Sequence, residues 1–415
     1  MSAGLLSSTS FAYPGGRDMV RVGLIGCGGR GAGAARHCVS AAENVELYAM
    51  GDLFEDRLSS SRSILERAVG EKCNVSDDRC FVGFDAYKKV IQSDVDLVLL
   101  TTPPGFRPLH FREAVMHGKH VFMEKPIAVD PAGIRSVEKS GIQATQKNLS
   151  VMSGLQYRKQ DNYVYAVEKI QKEVIGQPLS AHAEYLTGTI WYHERTPEMT
   201  EMEWLIRNWY YHTWLSGDFI VEQFIHNMDT MIWALGELPV HCTGMGARQQ
   251  RTDSKFGNIY DMFAVEYEFP HGVTLTARCR QMDRTWQRVA NRVTGSKGRA
   301  SITPSRSEIE YFNREDREII LQEGESPNTV QQRRLIESIR DGTPVNETEQ
   351  ALNATLMAIM GREAAYTGQM LTWDQVYNAS QDLTPESIDF NSPVYDPVAE
   401  PGVTQLNRTR HVADF

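Results

Sequence analysis

Residues 215–233 form an apolar stretch with three polar side chains whose spacing suits acid–base chemistry. In one continuous helix, Glu222 and His226 would share a face one turn apart, with Asp229 three residues further along. An imidazole titrates near neutral pH and can take a proton from a hydroxyl group. The spacing predicts His226 as the acid/base and Glu222 as a catalytic partner that orients the sugar through another hydroxyl or tunes Lys125. Asp229 would support His226, cap the backbone or bind substrate. A core helix with satisfied polar groups is the alternative.

A lysine a hundred residues earlier could complete this chemistry. Lys125 belongs to Met-Glu-Lys-Pro, residues 123–126, directly after an apolar segment that predicts a parallel strand. Neighbouring side chains of a strand point to opposite sides, so Lys125 can face a cleft while Glu124 pairs or packs elsewhere, both near the cofactor. An ammonium group in the cleft would stabilise a developing alkoxide. A surface turn is the alternative.

The segment VGLIGCGGRG predicts the phosphate-binding turn of a dinucleotide site. An apolar strand leads into it and an alanine-rich helix leaves it, which is the context that gives such a glycine set meaning. A glycine turn in a doubly wound fold that binds nothing is the alternative. The predicted cofactor contacts in this segment are Gly26, Gly28, Gly29, Arg30 and Gly31.

Asp52 ends the next predicted strand, 21 residues after Gly31. A carboxylate at this place accepts hydrogen bonds from the adenosine ribose hydroxyls and repels a 2′-phosphate, so NAD is favoured over NADP. Because of Arg57, NADP stays an alternative cofactor. A loop at the carboxyl end of a further strand adds four predicted cofactor neighbours, although its prolines could simply end the strand: Thr101, Thr102, Pro103 and His110.

Aromatic and polar residues crowd residues 188–218, as expected of a carbohydrate pocket. Core packing or an oligomer interface could also explain them. The predicted substrate contacts here are Tyr192, His193, Arg207, Asn208 and His212. A second pocket wall, at the predicted first strand of the second domain, comprises Gln156, Tyr157 and Arg158. The histidines lack the spacing of a preorganised metal site, so we expect no metal.

The order of elements predicts an α/β protein of two domains. Residues 20–150 alternate strands and helices, as in a doubly wound parallel sheet of the Rossmann type. Residues 151–383 contain longer alternating segments, which predict an α+β domain with a large open, mostly antiparallel sheet and returning helices. Residues 384–415 predict an extended tail, and residues 1–19 a leader or a disordered N-terminus.

Composition excludes several classes of protein. The formal net charge of −10 opposes binding to nucleic acid, and no apolar run is long enough to predict a membrane span. The six cysteines are expected to be mainly buried thiols, although Cys73 and Cys80 could pair under oxidising conditions. The segment AGLLSS near the start resembles the end of a signal peptide without its basic part. Export, for example to the periplasm, and residence in the cytoplasm both stay open.

Taken together, VGLIGCGGRG, MEKP and VEQFIHNMD resemble the Gfo/Idh/MocA oxidoreductase family over about residues 20–375. The resemblance implies nicotinamide-dependent chemistry on sugars or polyols, and homo-oligomers formed through the second sheet. It implies Lys125 and His226 as reacting groups and places Glu222 where the family usually has aspartate. Phe224 replaces a frequent glycine, which suggests a divergent subgroup.

The family resemblance leaves two alternatives to net oxidation or reduction of a sugar. Some related enzymes keep NAD tightly bound and cleave glycosides through a redox-neutral cycle of oxidation and elimination. A protein of this fold that has lost its chemistry would act as a sugar-sensing regulator. The presence of both Lys125 and His226 disfavours the regulator.

Overall fold

The protein consists of two sheets, each covered by helices. The computed structural model describes residues 19–313, 315 and 317–408. The first sheet is parallel throughout, in the order β3-β2-β1-β4-β5-β6. Its strands are β1 (Val20–Ile25), β2 (Val45–Asp52), β3 (Cys80–Val82), β4 (Leu97–Leu100), β5 (His120–Met123) and β6 (Val151–Ser153). Its helices are α1 (Gly29–Ser40), α2 (Glu55–Val69), α3 (Ala86–Gln92), α4 (Arg107–Met116) and α5 (Pro131–Gln146).

The second sheet has nine strands in the order β14-β13-β12-β11-β7-β10-β9-β8-β15, and only the β7–β10 pair among them is parallel. Its strands are β7 (Pro178–Thr187), β8 (His241–Ala247), β9 (Met262–Glu268), β10 (Thr274–Gln281), β11 (Arg288–Gly295), β12 (Gly298–Ile302), β13 (Arg306–Tyr311), β14 (Arg317–Leu321) and β15 (Leu371–Thr372). Its helices are α6 (Asp161–Gln171), α7 (Glu201–Arg207), α8 (Thr213–Ser216), α9 (Phe219–Glu222), α10 (Ile225–Leu235), α11 (Pro327–Arg340), α12 (Thr348–Thr367) and α13 (Trp373–Tyr377). The predicted α/β fold class is confirmed.

Local chemistry explains why the site-bearing elements begin and end where they do. The four residues of β4 are all fully buried, as expected of a central parallel strand covered on both faces. Asp130 caps α5 by accepting a hydrogen bond from the Gly133 amide, and Pro131 fills the first helical position. Because β1, β4 and β5 pair in parallel, their carboxyl ends lie at one edge of the sheet, where ligands of such sheets bind.

Helix α12 joins the two sheets. It is buried along nearly its whole length and packs against α5 on one side and against α10 and β8 on the other. The chain also returns to the first sheet through α11, where the Ser338 hydroxyl donates to that of Ser150. The active-site segments of both domains are therefore held by shared helices.

Two predictions about local structure were wrong. Residues 215–233 are not one helix: Gly217 and Asp218 take positive φ angles of 80° and 71°, and a second break follows Glu222, so three short helices replace it. Glu222 therefore ends α9 while His226 lies in α10. Residues 156–158 do not lie on a strand of the second domain: they belong to a 3-10 turn, Gln156–Lys159, which follows β6 of the first sheet.

Both chain ends and the cysteines bear on the remaining predictions. The predicted leader lies almost wholly in residues 1–18, outside the described residues. The described part of the tail, residues 384–408, contains neither helix nor strand and packs back onto both domains, as when the Phe390 ring meets that of Phe84 at 4.9 Å.

All six cysteines are free thiols, including Cys73 and Cys80. Among the described residues no helix is long and apolar enough to cross a membrane.

Candidate active site

The turn between β1 and α1 has the geometry of a phosphate cradle. Gly26 has a φ of 96°, and a Cβ on it would lie 2.7 Å from the Thr102 amide nitrogen. A Cβ on Gly31 would lie 2.0 Å from the Gly26 carbonyl oxygen, so α1 can approach β1 only with glycine there. At Gly28 and Gly29 the space beyond the backbone is open. The residues present therefore suit a dinucleotide with its pyrophosphate at the start of α1.

Asp52 lies at the edge of this cradle. Its Oδ2 accepts a hydrogen bond from the Cys27 amide at 2.6 Å, and its Oδ1 accepts one from the Phe54 amide at 2.9 Å. Burial raises the pKa of Asp52, while these amides and Arg57 act in the opposite direction. Each oxygen keeps a second lone pair, so the carboxylate can still accept from ribose hydroxyls.

A cavity of about 770 Å³ extends from the glycine turn along the ends of β2 and β4. Its first-domain wall includes Asp52, Thr101, Thr102, Pro103 and His110. Its far wall comes from the second domain and consists of Trp191, His193, Ile206, Arg207 and Trp209. The volume and lining suit a dinucleotide bound in a cleft between the two domains.

His193 and Arg207, predicted as sugar contacts, lie at the Asp52 end of this cavity. The Arg207 guanidinium pairs with Asp56 at 2.8 Å and lies 4.0 Å from the centre of the Phe54 ring. Arg57 donates to the Arg207 carbonyl at 3.4 Å. These contacts tie α7 to the start of α2 across the mouth of the cavity.

The loops after β4 and β5 are joined by a buried arginine that sequence reasoning missed. Arg107 is 1% exposed and donates to the carbonyl oxygens of Thr102 and Pro126. Burial lowers its pKa to about 10. Beside it, His110 meets the Thr102 hydroxyl at 3.2 Å and stacks on Tyr87, and burial lowers its pKa to about 3, so it is neutral. An arginine next to proline at a helix start carries no recognisable signal of this role.

Glu124 and Lys125 point to different partners. Glu124 accepts a hydrogen bond from Arg30 at 2.7 Å, and a Cβ on Gly154 would lie 2.4 Å from its carboxylate. Lys125 donates to the Glu222 carboxylate at 2.9 Å and to the Glu222 carbonyl. The Lys125 and Glu222 side chains are 11% and 10% exposed. A buried ion pair thus joins the end of β5 to the end of α9.

Glu222 keeps one oxygen for other chemistry. Its Oε2 is buried and has no hydrogen-bond partner among the described residues. The pKa values of Tyr185 and Tyr210 are raised by burial first and by the Glu222 charge in addition, which identifies both rings as neighbours that the sequence analysis missed. Tyr185 comes from the alternating pattern of β7, which predicts a strand but not what its inward side chains touch.

His226 lies near Lys125 against an aromatic ring. Its ring centre is 5.0 Å from that of Tyr157, and its Nδ1 is buried without a hydrogen-bond partner among the described residues. Burial lowers the pKa of His226 well below its usual value, and the charges of Lys125 and Arg30 lower it further. The imidazole is therefore neutral at pH 7 and able to accept a proton.

Asp229 fulfils neither support role foreseen for it. Its two oxygens accept three hydrogen bonds from Arg158 at 2.7–3.0 Å, and both side chains are largely buried. The pair holds the 3-10 turn that carries Gln156 and Tyr157 against α10. Of that turn, Tyr157 is the residue brought to His226.

Three other predicted pocket residues lie in an aromatic cluster of the second domain. The Asn208 amide is fully used by the backbone, accepting from the His193 amide and donating to the carbonyls of His193 and Trp204. Tyr192 packs edge-on against Trp204, and His212 is buried beside Gly257. Among the described residues, no group of three or more His, Cys, Asp or Glu side chains is placed to hold a metal ion.

Comparison with known proteins agrees with this geometry. Residues 20–153 match the oxidoreductase family with an NAD-binding Rossmann fold, GFO_IDH_MocA, and residues 163–301 match a GFO/IDH/MocA C-terminal domain. A glycosyl hydrolase family 109 protein of Shewanella putrefaciens is 28% identical over 207 residues. That match covers 48% of this chain but only 41% of the relative.

Solved structures share the fold at low identity. An aldose-aldose oxidoreductase from Caulobacter crescentus, complexed with glycerol, superposes with a TM-score of 0.68 at 18% identity, covering 85% of this chain and 99% of that one. A myo-inositol 2-dehydrogenase from Lactobacillus plantarum gives 0.66 at 19% identity, covering 85% and 99%. With both domain profiles matched in order and the cradle, Lys125 and His226 in place, this chain belongs to the GFO/IDH/MocA oxidoreductase family.

Proposed function

We propose that the protein oxidises or reduces a secondary hydroxyl group of a sugar, polyol or glycoside with NAD. The observation that carries the proposal is the neutral, buried His226 beside the Lys125–Glu222 ion pair, at the edge of the sheet that holds the glycine cradle. Bound NAD supplies hydride transfer. His226 accepts or returns the hydroxyl proton, and Lys125 stabilises charge on the substrate oxygen.

The unpartnered Oε2 of Glu222 gives this residue a second task. Its Oε1 holds Lys125, while Oε2 can accept a hydrogen bond from another hydroxyl of the substrate. Incubation with NAD and a panel of polyols and glycosides, read by NADH absorbance and mass spectrometry, tests the proposal. NAD binding without any product would instead support the regulator.

A redox-neutral glycosidase is the second candidate, favoured by the similarity to the family 109 relative. A redox-neutral cycle would consume no cofactor, so a site that retains NAD would suit it. Release of the aglycone from a nitrophenyl glycoside without accumulation of NADH would identify this activity. NADH formed in proportion to a keto-sugar would identify the dehydrogenase.

The Arg207–Asp56 contact should slow the release of NAD in either case, which gives a testable prediction. Arg207→Gln removes the ion pair between α7 and α2, so we expect bound NAD to exchange about tenfold faster, because the cavity mouth opens more often. The measurement is the loss of labelled NAD on dilution. Arg62→Gln is the matched control, because Arg62 also lies on α2 but pairs with Asp77. An unchanged exchange rate in Arg207→Gln would count against this closure.

Asp52 should set the preference for NAD over NADP. We expect Asp52→Ser to weaken NAD binding about tenfold and to reduce the ratio of the NADP to the NAD dissociation constant, since the repulsion of a 2′-phosphate is lost. Calorimetric titration with both cofactors measures that ratio. Damage to the Cys27 contact would weaken both cofactors equally and leave the ratio unchanged, which would argue against this role. Export and homo-oligomer formation through the second sheet stay predictions.

A further inference from the structure

A buried guanidinium lies behind the candidate active site. Arg362 on α12 is 0% exposed, and each of its three nitrogens donates at least one hydrogen bond. Its Nε donates to Oε1 of Glu363 at 2.9 Å, and its Nη2, which lies 2.8 Å from the same oxygen, donates to the Gln381 side chain at 3.1 Å. Its Nη1 donates to the carbonyl oxygens of Val129 at 2.7 Å and Gly217 at 3.0 Å.

These two carbonyls belong to the segments that carry the reacting groups. Val129 follows Lys125 by four residues in the loop after β5, and Gly217 precedes Glu222 by five residues. Lys125 and Glu222 meet at 2.9 Å, and Arg362 fixes the backbone on both sides of that contact. One side chain therefore ties the first-domain loop to the second-domain turn.

The same face of α12 makes two further contacts with these segments. The Tyr366 hydroxyl donates to the carboxylate of Asp218, whose carbonyl accepts the Glu222 amide at 2.9 Å. The Thr355 hydroxyl accepts the Ile127 amide at 3.5 Å. Residues 355, 362 and 366 share one helix face by their spacing. This face of α12 is thus a template for the loop and the turn.

The C-terminal tail completes the template. Arg408 donates to both oxygens of Glu363, at 2.6 and 2.9 Å. Glu363 is fully buried, whereas the Arg408 side chain is 27% exposed. A buried carboxylate requires compensation, and here it is shared between Arg362 and Arg408. Without Arg408, Arg362 would be the one cation bonded to Glu363 among the described residues, and the same guanidinium also holds the Val129 and Gly217 carbonyls.

We propose that Arg362 and Arg408 are positioning residues, which hold the Lys125 loop and the Glu222 turn in register through Glu363. The C-terminal tail is then part of the active-site support, although it ends far from Lys125 in sequence. The consequence for turnover rests on the proposed function, whereas the placement of Lys125 does not. The test therefore reads the placement of Lys125 directly.

Competitive labelling of lysine amines in the full-length protein, quantified by mass spectrometry of tryptic peptides, provides that reading. Lys159 is the internal reference, because it is 10% exposed and paired with Glu347 at 2.6 Å, away from the Arg362 cluster. We expect Arg408→Gln and Arg362→Gln to raise the Lys125 to Lys159 labelling ratio about tenfold, by freeing the Lys125 loop. Arg408→Lys should raise the labelling ratio less than Arg408→Gln does, since lysine keeps the positive charge but not the bidentate geometry.

Tyr395→Phe is the matched tail control, because Tyr395 bonds the exposed Glu201 instead of Glu363. The Lys125 to Lys159 labelling ratio of this variant should equal that of the wild type.

In the reaction, kcat should fall about tenfold in Arg408→Gln while the NAD dissociation constant is unchanged. Equal increases in labelling of Lys125 and Lys159 would indicate general loosening and overturn the proposal, as would an unchanged ratio. If the wild type turns over no sugar, the labelling ratio still decides. Should Arg362→Gln fail to fold, Arg408→Gln carries the test.

Discussion

Replacing His226 with alanine should lower turnover by roughly 10²-fold or more while leaving the NAD dissociation constant unchanged. The reason is that removal of the imidazole takes away the proton acceptor but no part of the glycine cradle. Turnover is measured with the best substrate of the polyol and glycoside panel, and NAD binding by calorimetry.

The pH dependence of the wild-type enzyme gives the same prediction a second reading. Oxidation requires the neutral imidazole, and burial together with Lys125 lowers the pKa of His226. The acid limb of the kcat profile should therefore lie below pH ~6.5, which is the pKa of a free imidazole. Turnover should persist when the pH falls below that value.

His271→Asn is the matched control for His226→Ala. The His271 side chain is 85% exposed in a turn with a φ of 62°, a conformation that asparagine tolerates. Its kcat should equal that of the wild type. Undiminished turnover in His226→Ala would remove His226 from the mechanism, and the neutral aromatic neighbour Tyr157 would become the next acid/base to test.

The Lys125–Glu222 pair should contribute separately to stability and to catalysis. Lys125→Met leaves the Glu222 carboxylate buried without its cation, so the free energy of unfolding should fall by about 3–5 kcal/mol. Turnover should fall about 10²-fold, because the charge that stabilises the substrate oxygen is lost. In the double variant Lys125→Met/Glu222→Gln, most of the stability should return but turnover should not. Denaturant unfolding and steady-state rates measure the two effects.

An exposed pair on α6 shows the effect expected without burial. Lys172 and Glu168 meet at 2.9 Å, but their side chains are 69% and 55% exposed, so Lys172→Met should cost less than about 1 kcal/mol. Recovery of turnover in the Lys125→Met/Glu222→Gln variant would show that the pair is purely structural. A Lys125→Met variant as stable as the wild type would contradict the buried pairing.

Local signals were sufficient for the fold and for the cofactor cradle. The spacing of Gly26 and Gly31, the buried β1 before them and the helix after them are set within a dozen residues, so sequence alone predicted the phosphate turn. Alternation of strands and helices likewise predicted the parallel sheet. The strand β6 was not recognised as part of the first sheet, because it is only three residues long and its partner β5 is distant in sequence.

Long-range contacts decided the rest of the site. The apolar period of residues 215–233 predicts one helix, but contacts from α12 with Gly217 and Asp218 stabilise a break that the period does not reveal. Arg207 is of a residue type that often binds sugar hydroxyls. In the structure it pairs with Asp56 of the other domain and so lies at the cofactor cavity. Asp229 likewise pairs with Arg158 and not with His226, because a contact distant in sequence determines its partner.

The sequence by itself determined which residue types stand at the ends of β1, β2, β4 and β5, because turns, caps and strand periods act over a few residues. It also paired Lys125 with His226 through the family resemblance. Only the tertiary structure decided that Glu222 bonds Lys125, that Arg107 joins two loops and that Arg408 supports α12. Ionic and hydrogen-bonding partners across a buried interface are selected by shape and desolvation, which no local pattern records.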